Sequence, residues 1–225
     1  MWIDELAVQN CHIPLHALVW VPKTVCVVLG NANQGERECH LSHCQADAVP
    51  IWKRAGGGGA VVLHSGCVVL TLGLWVNHYY RNSEFFHAIN TALIRTLQKK
   101  FPDLRSLAQD GFSDITLNGR KIVGTSLFRS RNYLLYQASI LVDSRLSLIE
   151  RYLAHPSREP VYRQGKSHRD FLSSLAEASP HCPIEDVRAS IETEIALALH
   201  KELREELCEP HPSQIDYLRK RFGLA

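Results

Sequence analysis

Apolar positions along the chain follow two periods, and the change from one to the other organises it. Short β-branched runs dominate the first 143 residues. "VCVVLG" (25–30) and "VPIWKRA" (49–55) each predict a strand, as does "AVVLHSGCVVLTLGLWV" (60–76). "YLLYQASILVD" (133–143) predicts a further long one. In "DITLNGRKIVG" (114–124), Asn118-Gly119 is the pair that a two-residue hairpin favours, because both central positions want positive φ. The polar stretch 31–48 predicts one short helix over 38–47. Ser83 is a candidate cap for a helix whose inner face is Phe85, Phe86, Ile89, Leu93 and Leu97, with Pro102 just beyond its end. Helical spacing takes over afterwards, at 144–155, 168–178 and 213–222. Pro183 opens another helix, with Val187, Ile191, Ile195, Leu199 and Leu203 in one row. Strands first and helices later, with hairpins and few βαβ units, predict an α+β fold: a mixed, mainly antiparallel sheet packed by helices. The simplest division is a main unit over 1–180 and a helical extension over 181–225 packed on the same domain.

Composition narrows the class. The 225 residues are 45% hydrophobic and 21% charged, which suits a globular chain with a sizeable core. A net charge of +2 argues against nucleic acid. No apolar run approaches the roughly 18–20 residues that span a bilayer, so no membrane partner is expected. The start, "MWIDELAVQN", does not read as a signal peptide. Seven scattered cysteines fit reduced thiols and a cytoplasmic setting better than a disulfide framework.

One stretch calls for a physical reason. "KRAGGGGAVVLHSG" (53–66) sets four glycines between a cationic pair and a β-branched run. Glycine costs backbone entropy on folding, so the run is either a linker or a place where main chain passes close to something bulky. Strand character on both sides argues against a linker. Within a sheet, such a run lets backbone touch a ligand, and its free N–H groups can cradle an anion. Arg54 just upstream suits a phosphate or carboxylate. Neither Gly-x4-Gly-Lys-[Ser/Thr] nor Gly-x-Gly-x-x-Gly before a helix is present. Lys121, after the hairpin turn, is either a solvated lysine or a cation that holds two anions together beside the glycines.

These segments resemble the lipoate–protein ligase and octanoyltransferase superfamily, which is related to biotin–protein ligases. The glycine stretch is similar to the family's Arg-Arg-x-Ser-Gly-Gly-Gly-Ala-Val segment. "SDITLNGRKIVGTSLFRSRNYLLYQASILVD" is similar to its Asn-Asp…Gly-[Arg/Lys]-Lys block, and "VCVVLGNANQ" to its first strand and loop. "PSREPVYRQGKSHRDFLSSL" resembles a stretch of some members. Together they cover roughly residues 20–175. The resemblance implies a biotin/lipoate protein ligase catalytic-domain fold, with residues 1–180 as the catalytic domain. It implies activation of lipoate or octanoate by ATP to an acyl-adenylate, then transfer to a lysine of a lipoyl-domain acceptor. That acceptor would be a dehydrogenase E2 subunit or a glycine cleavage H-like protein. Lys121 is then the catalytic cation between carboxylate and α-phosphate. Arg54, Gly57, Gly58, Gly59, Ala60, Val61 and Val62 fall where the family binds nucleotide and acyl group. Gly124, Thr125, Gln137 and Ser139 fall in the same site. Asp114 matches the family's aspartate and is a candidate for placing Mg2+.

The chain departs from the family pattern at Gly56, Ser113, Leu127, Gln137 and Ala138 and after Val61, while keeping Lys121. Members that transfer octanoyl or lipoyl groups without ATP, from acyl-carrier protein or between lipoyl proteins, use a cysteine thioester. Here "SLAQDGFSD" has no cysteine, Cys67 reads as a buried strand residue, and Cys182 fits neither family position. Adenylation is therefore favoured. The alternatives are the ATP-independent transferase and a non-catalytic binder of acyl groups or lipoyl domains. Only about fifty residues follow the matched region, so either an accessory ligase subunit is a further partner or this is a compact variant. "CHLSHC" (39–44) offers Cys39, His40, His43 and Cys44, but its i, i+4 pairs point about 100° apart. It reads as a polar helix with one packed cysteine rather than a zinc site. His78, His87 and His168 read as surface or packing residues.

Overall fold

The computed structural model describes residues 3–77, 82–143 and 145–224. Met1, Trp2, His78 and Ser144, the expected start of one helix, lie outside the described residues. Among the described residues the chain forms nine strands and nine α-helices. In order these begin with α1 (Ile3–Gln9), β1 (Leu15–Trp20), β2 (Cys26–Leu29), α2 (Gly35–Glu38), α3 (Leu41–Ala46) and β3 (Ile51–Lys53). Next come β4 (Val61–Leu63), β5 (Cys67–Trp75), α4 (Asn82–Lys100), β6 (Leu107–Asp110), β7 (Asp114–Leu117), β8 (Arg120–Ser130) and β9 (Tyr133–Leu141). The chain closes with α5 (Leu146–Tyr152), α6 (His168–Phe171), α7 (Leu175–Ala178), α8 (Ile184–Glu202) and α9 (Pro212–Arg221).

A six-stranded sheet, ordered β1-β5-β9-β8-β7-β6, is antiparallel throughout. A three-stranded sheet, β3-β2-β4, is mixed, with β2 parallel to β3 and antiparallel to β4. The predicted α+β class with a mainly antiparallel sheet is the fold observed.

Strand β5 shows how the layers arise. All nine of its residues are buried, because both faces of the sheet are covered there. Val68, Leu70, Leu72 and Leu74 point one way, into the core that α4 and α8 close. Cys67, Val69 and Trp75 point the other way, into smaller clusters under the second sheet, α5 and α1. A strand covered twice reads as a continuous apolar run rather than an alternation. The predicted rows of α4 and α8 are buried along their length and meet over this core. No helix among the described residues is long and apolar enough to cross a membrane.

Tertiary pairing broke several expected elements. The helix expected over 38–47 is two short ones, because Cys39 adopts extended backbone and bridges to Leu153. Both Cys39 and Cys44 are packed, where one was expected. The helix expected over 168–178 is interrupted at Leu172, which lies parallel to Lys121 while the Ser173 N–H donates to the Lys121 carbonyl at 2.9 Å. The strand expected over 60–76 is β4 and β5, separated by a turn at 64–66. Ser83, the expected cap, sits inside the first turn of α4. The hairpin turn is as expected, with φ of 53° at Asn118 and 74° at Gly119. Helix α1 and strands β1 and β6 carried too few residues in pattern to be anticipated.

Three histidines, His16, His64 and His168, are pulled below the ordinary imidazole value, in each case first by burial. An unfolded chain takes up their protons near pH ~6.5, whereas the folded chain resists until lower pH. Stability is therefore expected to fall as pH drops through that value. Urea midpoints measured at pH 7.5 and 5.5 should show a decrease; an increase would contradict the burial of neutral imidazoles.

Candidate functional site

The glycines Gly56, Gly57, Gly58 and Gly59 lie in the loop between β3 and β4, with strand on both sides as expected. Arg54 holds this loop from below. Its Nη2 donates to the Gly57 carbonyl at 2.7 Å and the Gly59 carbonyl at 2.8 Å, and its Nε donates to Gly57 at 3.2 Å. Burial lowers the Arg54 pKa to about 10, with nearby Asp4 opposing the shift. The guanidinium thus stitches the loop together. The loop also docks on β2: a Cβ on Gly30 would stand 2.1 Å from the Gly58 carbonyl oxygen. Gly58 has φ of +92°, which only glycine adopts readily. Gly57 and Gly59 face open space.

Lys121 approaches from the hairpin. Along β7–β8 the register runs Thr116↔Lys121 and then Ile115↔Val123, so Ile122 is an inserted residue. This bulge sends both Ile122 and Val123 into the core. It leaves Lys121 and Gly124 on the opposite side, where a Cβ on Gly124 would touch Lys121 Cε at 3.2 Å. The Lys121 ammonium is 2.8 Å from Asp114 Oδ1, with the two side chains 24% and 11% exposed. The other carboxylate oxygen, Oδ2, accepts from the Tyr162 hydroxyl at 2.8 Å.

Two adjoining cavities of ≈ 80 Å3 and ≈ 140 Å3 share Gly59, Ala60, Val61, Lys121, Gly124 and Ser139. The first runs between the two sheets to an apolar end at Trp20, Val28, Leu63 and Val69, and Arg54, Thr125 and Gln137 also line it. The second adds Val62 and reaches Arg158, Arg163 and His168. Ten of the expected site residues thus converge on these walls. Asp114 touches Lys121 from behind, while Gly57 and Gly58 shape the loop without lining either cavity.

Three supporting residues escaped the sequence reading. Buried Asp4 of α1 accepts from the Ala55 N–H and from Gln137 Nε2, each at 2.7 Å, and so ties the loop to β9. Asn90 donates to the Ser113 carbonyl at 3.0 Å and accepts from the Tyr136 hydroxyl at 2.6 Å. Thr125 Oγ1 donates to the same Ser113 carbonyl at 2.6 Å, so the residue before Asp114 is fixed from both sides. A polar Asn90 inside the apolar stripe of α4 was the available signal. Tyr162 lay in a stretch whose resemblance carried no role.

As to Mg2+, both Asp114 oxygens are engaged, and the described residues contain no group of three or more metal-binding side chains. These residues do not build a protein-held magnesium site.

Gly30→Ala is expected to push the glycine loop off β2. It should cost about 1–3 kcal/mol in urea unfolding and speed proteolytic cleavage near residue 58. Gly57→Ala, facing open space, should stay within about 0.5 kcal/mol of the parent.

Comparison with known proteins bears on the fold and the family. The chain is 27% identical over 141 residues to lipoate–protein ligase 1 of Plasmodium falciparum, a match covering 63% of this chain and 32% of that protein. It therefore spans about a third of that relative's length. Two solved structures share the fold. One is the archaeal bipartite lipoate protein ligase of Thermoplasma acidophilum, described with its E2 lipoyl domain. Its TM-score is 0.72 at 17% identity, over 98% of this chain and 88% of that one. The other is a lipoate–protein ligase A bound with ATP, with a TM-score of 0.72 at 17% identity, over 99% and 90%. The model of the lipoyl protein ligase A/B catalytic domain matches residues 2–196, most of the chain, and the chain belongs to that family.

Proposed function

We propose that this chain is an ATP-dependent lipoate–protein ligase. The carrying observation is the Lys121 ammonium at the junction of an apolar cavity and a second one lined by Arg158, Arg163 and His168. Lipoate or octanoate would lay its tail toward Trp20, Val28, Leu63 and Val69, with its carboxylate at Lys121. The nucleotide would enter the second cavity.

A carboxylate and a triphosphate repel, so bringing them together needs a fixed positive charge between them. Lys121 supplies it. A carboxylate oxygen attacks the α-phosphorus, the bond to the β-phosphate oxygen breaks, and pyrophosphate leaves. The amine of an acceptor lysine then attacks the acyl carbon. The bond to the phosphate oxygen breaks, AMP leaves, and the amine loses a proton as the amide forms. The backbone of Gly59 and Ala60, on the wall of both cavities, suits the anionic adenylate. Mg2+ would arrive on the nucleotide's own phosphates.

Thioester transfer needs a thiol at the acyl carbon, and none of the seven cysteines lines either cavity. Burial pushes Cys67 up to about 12 and Cys26 up to about 11, which disfavours the thiolate. The acceptor would be a lipoyl domain of an E2 subunit or a glycine cleavage H-like protein, and an accessory ligase subunit would assist activation. Residues 1–180 would form the catalytic unit, with 181–225 as an extension joined through the α4–α8 core. Seven unpaired thiols suit a cytoplasmic setting.

Incubation with ATP, Mg2+, lipoate and a lipoyl domain should add one lipoyl group to the acceptor, read by mass spectrometry. Lys121→Ala should abolish adenylate formation while retaining the wild-type circular dichroism spectrum. Preformed lipoyl-adenylate bypasses activation. Transfer from it, without synthesis of it, would point to the accessory subunit. Acceptor modification from octanoyl-carrier protein without ATP would overturn the ligase reading in favour of the transferase.

A further inference from the structure

Asp114 meets two partners at once, and the second comes from an element the reaction does not otherwise involve. Tyr162 lies in the strap over 153–167, between α5 and α6. The strap is built rather than loose. The Ser157 N–H donates to Glu38 Oε2 at 3.4 Å, the Gly165 N–H donates to Glu159 Oε1 at 2.8 Å, and the Arg163 guanidinium stacks 4.7 Å from the Phe171 ring centroid. The Tyr162 ring packs 5.1 Å from Phe171 and against Gly111. Its neighbour Val161 is 94% exposed. The strap therefore half-buries the tyrosine while leaving the adjoining apolar residue in water. Burial and the charge of Asp114 push the Tyr162 phenol well up, so its hydroxyl remains a donor at any physiological pH.

We propose that Tyr162 is a positioning residue for Lys121, acting through Asp114. It fixes the carboxylate plane and, with it, the ammonium at the mouth of the two cavities. The proposal rests on the reading of Lys121 as the cation of the reaction. A carboxylate bound only by a lysine can turn and follow the flexible side chain, which has four rotatable bonds. One that also accepts from a phenol on its other oxygen cannot turn without losing a charge-assisted hydrogen bond. The strap also supplies Pro160 and Arg163 to the second cavity. The wall of that cavity and the placement of the cation are thus parts of one packed element.

Tyr162→Phe keeps the ring against Gly111 and Phe171 and removes only the hydroxyl. Its kcat for pyrophosphate release is expected to fall about tenfold, with KM for ATP and for lipoate within about twofold of the parent. Asp114→Asn should also lower kcat, and the double variant should be no worse than the poorer single one, because both act through one contact. Losses that multiply, or an unchanged kcat in Tyr162→Phe, would overturn the proposal. A second readout needs no turnover: competitive acetylation by acetic anhydride, scored by mass spectrometry as Lys121 against exposed Lys23. A lysine released from its clasp should react about threefold faster in each single variant, both read within the parent fold. Equal labelling in parent and variants would refute the positioning role. Should the parent neither make adenylate nor transfer from preformed lipoyl-adenylate while the labelling responds as stated, the ligase reading fails and the clasp stands.

Discussion

A lysine ammonium drawn partly out of water needs a carboxylate within reach, and in this protein one hairpin supplies both. Asp114 opens β7 and Lys121 sits near the start of β8, so a single Asn-Gly turn brings the charges to 2.8 Å. Inside a protein this attraction is stronger than in bulk water, and the penalty for leaving either charge alone is larger. The inserted Ile122 lets the pair face the cavities. Without the bulge, simple alternation would place Lys121 and Val123 on one face of the sheet, and Val123 is core.

The glycine loop answers the opposite problem, that of main chain with little to hold it. Four glycines in sequence have a large unfolded ensemble, so an ordered loop requires many anchors. Arg54 donates to two of its carbonyls, Asn31 N–H donates to the Gly56 carbonyl at 2.9 Å, and Asp4 accepts from the neighbouring Ala55 N–H. Anchoring from beneath leaves the opposite side, at Gly57 and Gly59, open. A loop arranged in this way can present backbone to a ligand without collapsing onto its own sheet. The same Asp4 holds Gln137, so the short N-terminal helix braces both the loop and the strand facing it across the first cavity.

Long elements were readable because each carries its own periodic signal. The rows of α4 and α8, the β9 run and the Asn118-Gly119 turn all follow from local chemistry, and each is found where expected. The glycine segment stood out for the same kind of reason, as residues at odds with their local pattern, while Lys121 was singled out by the resemblance of its strand to a known family. The elements missed were short: α1 has seven residues and β6 has four. Segments of that length offer too few turns or alternations for a period to emerge. Helices predicted as continuous were cut wherever a distant strand offered a backbone partner, as Lys121 does to Leu172 and Ser173.

The chain alone determined the α+β class, the hairpin and which residues are unusual, because these depend on neighbours a few positions away. Tertiary structure decided what those residues do to one another. Arg54 turns inward to the loop carbonyls because burial between β2 and the glycines leaves those acceptors as its nearest partners. Tyr162 reaches Asp114 across 48 positions only because α5 and α6 set the strap beside the hairpin. Hydrogen bonds and ion pairs act over a few ångströms, and no local pattern in a sequence records which distant groups folding will bring within that range.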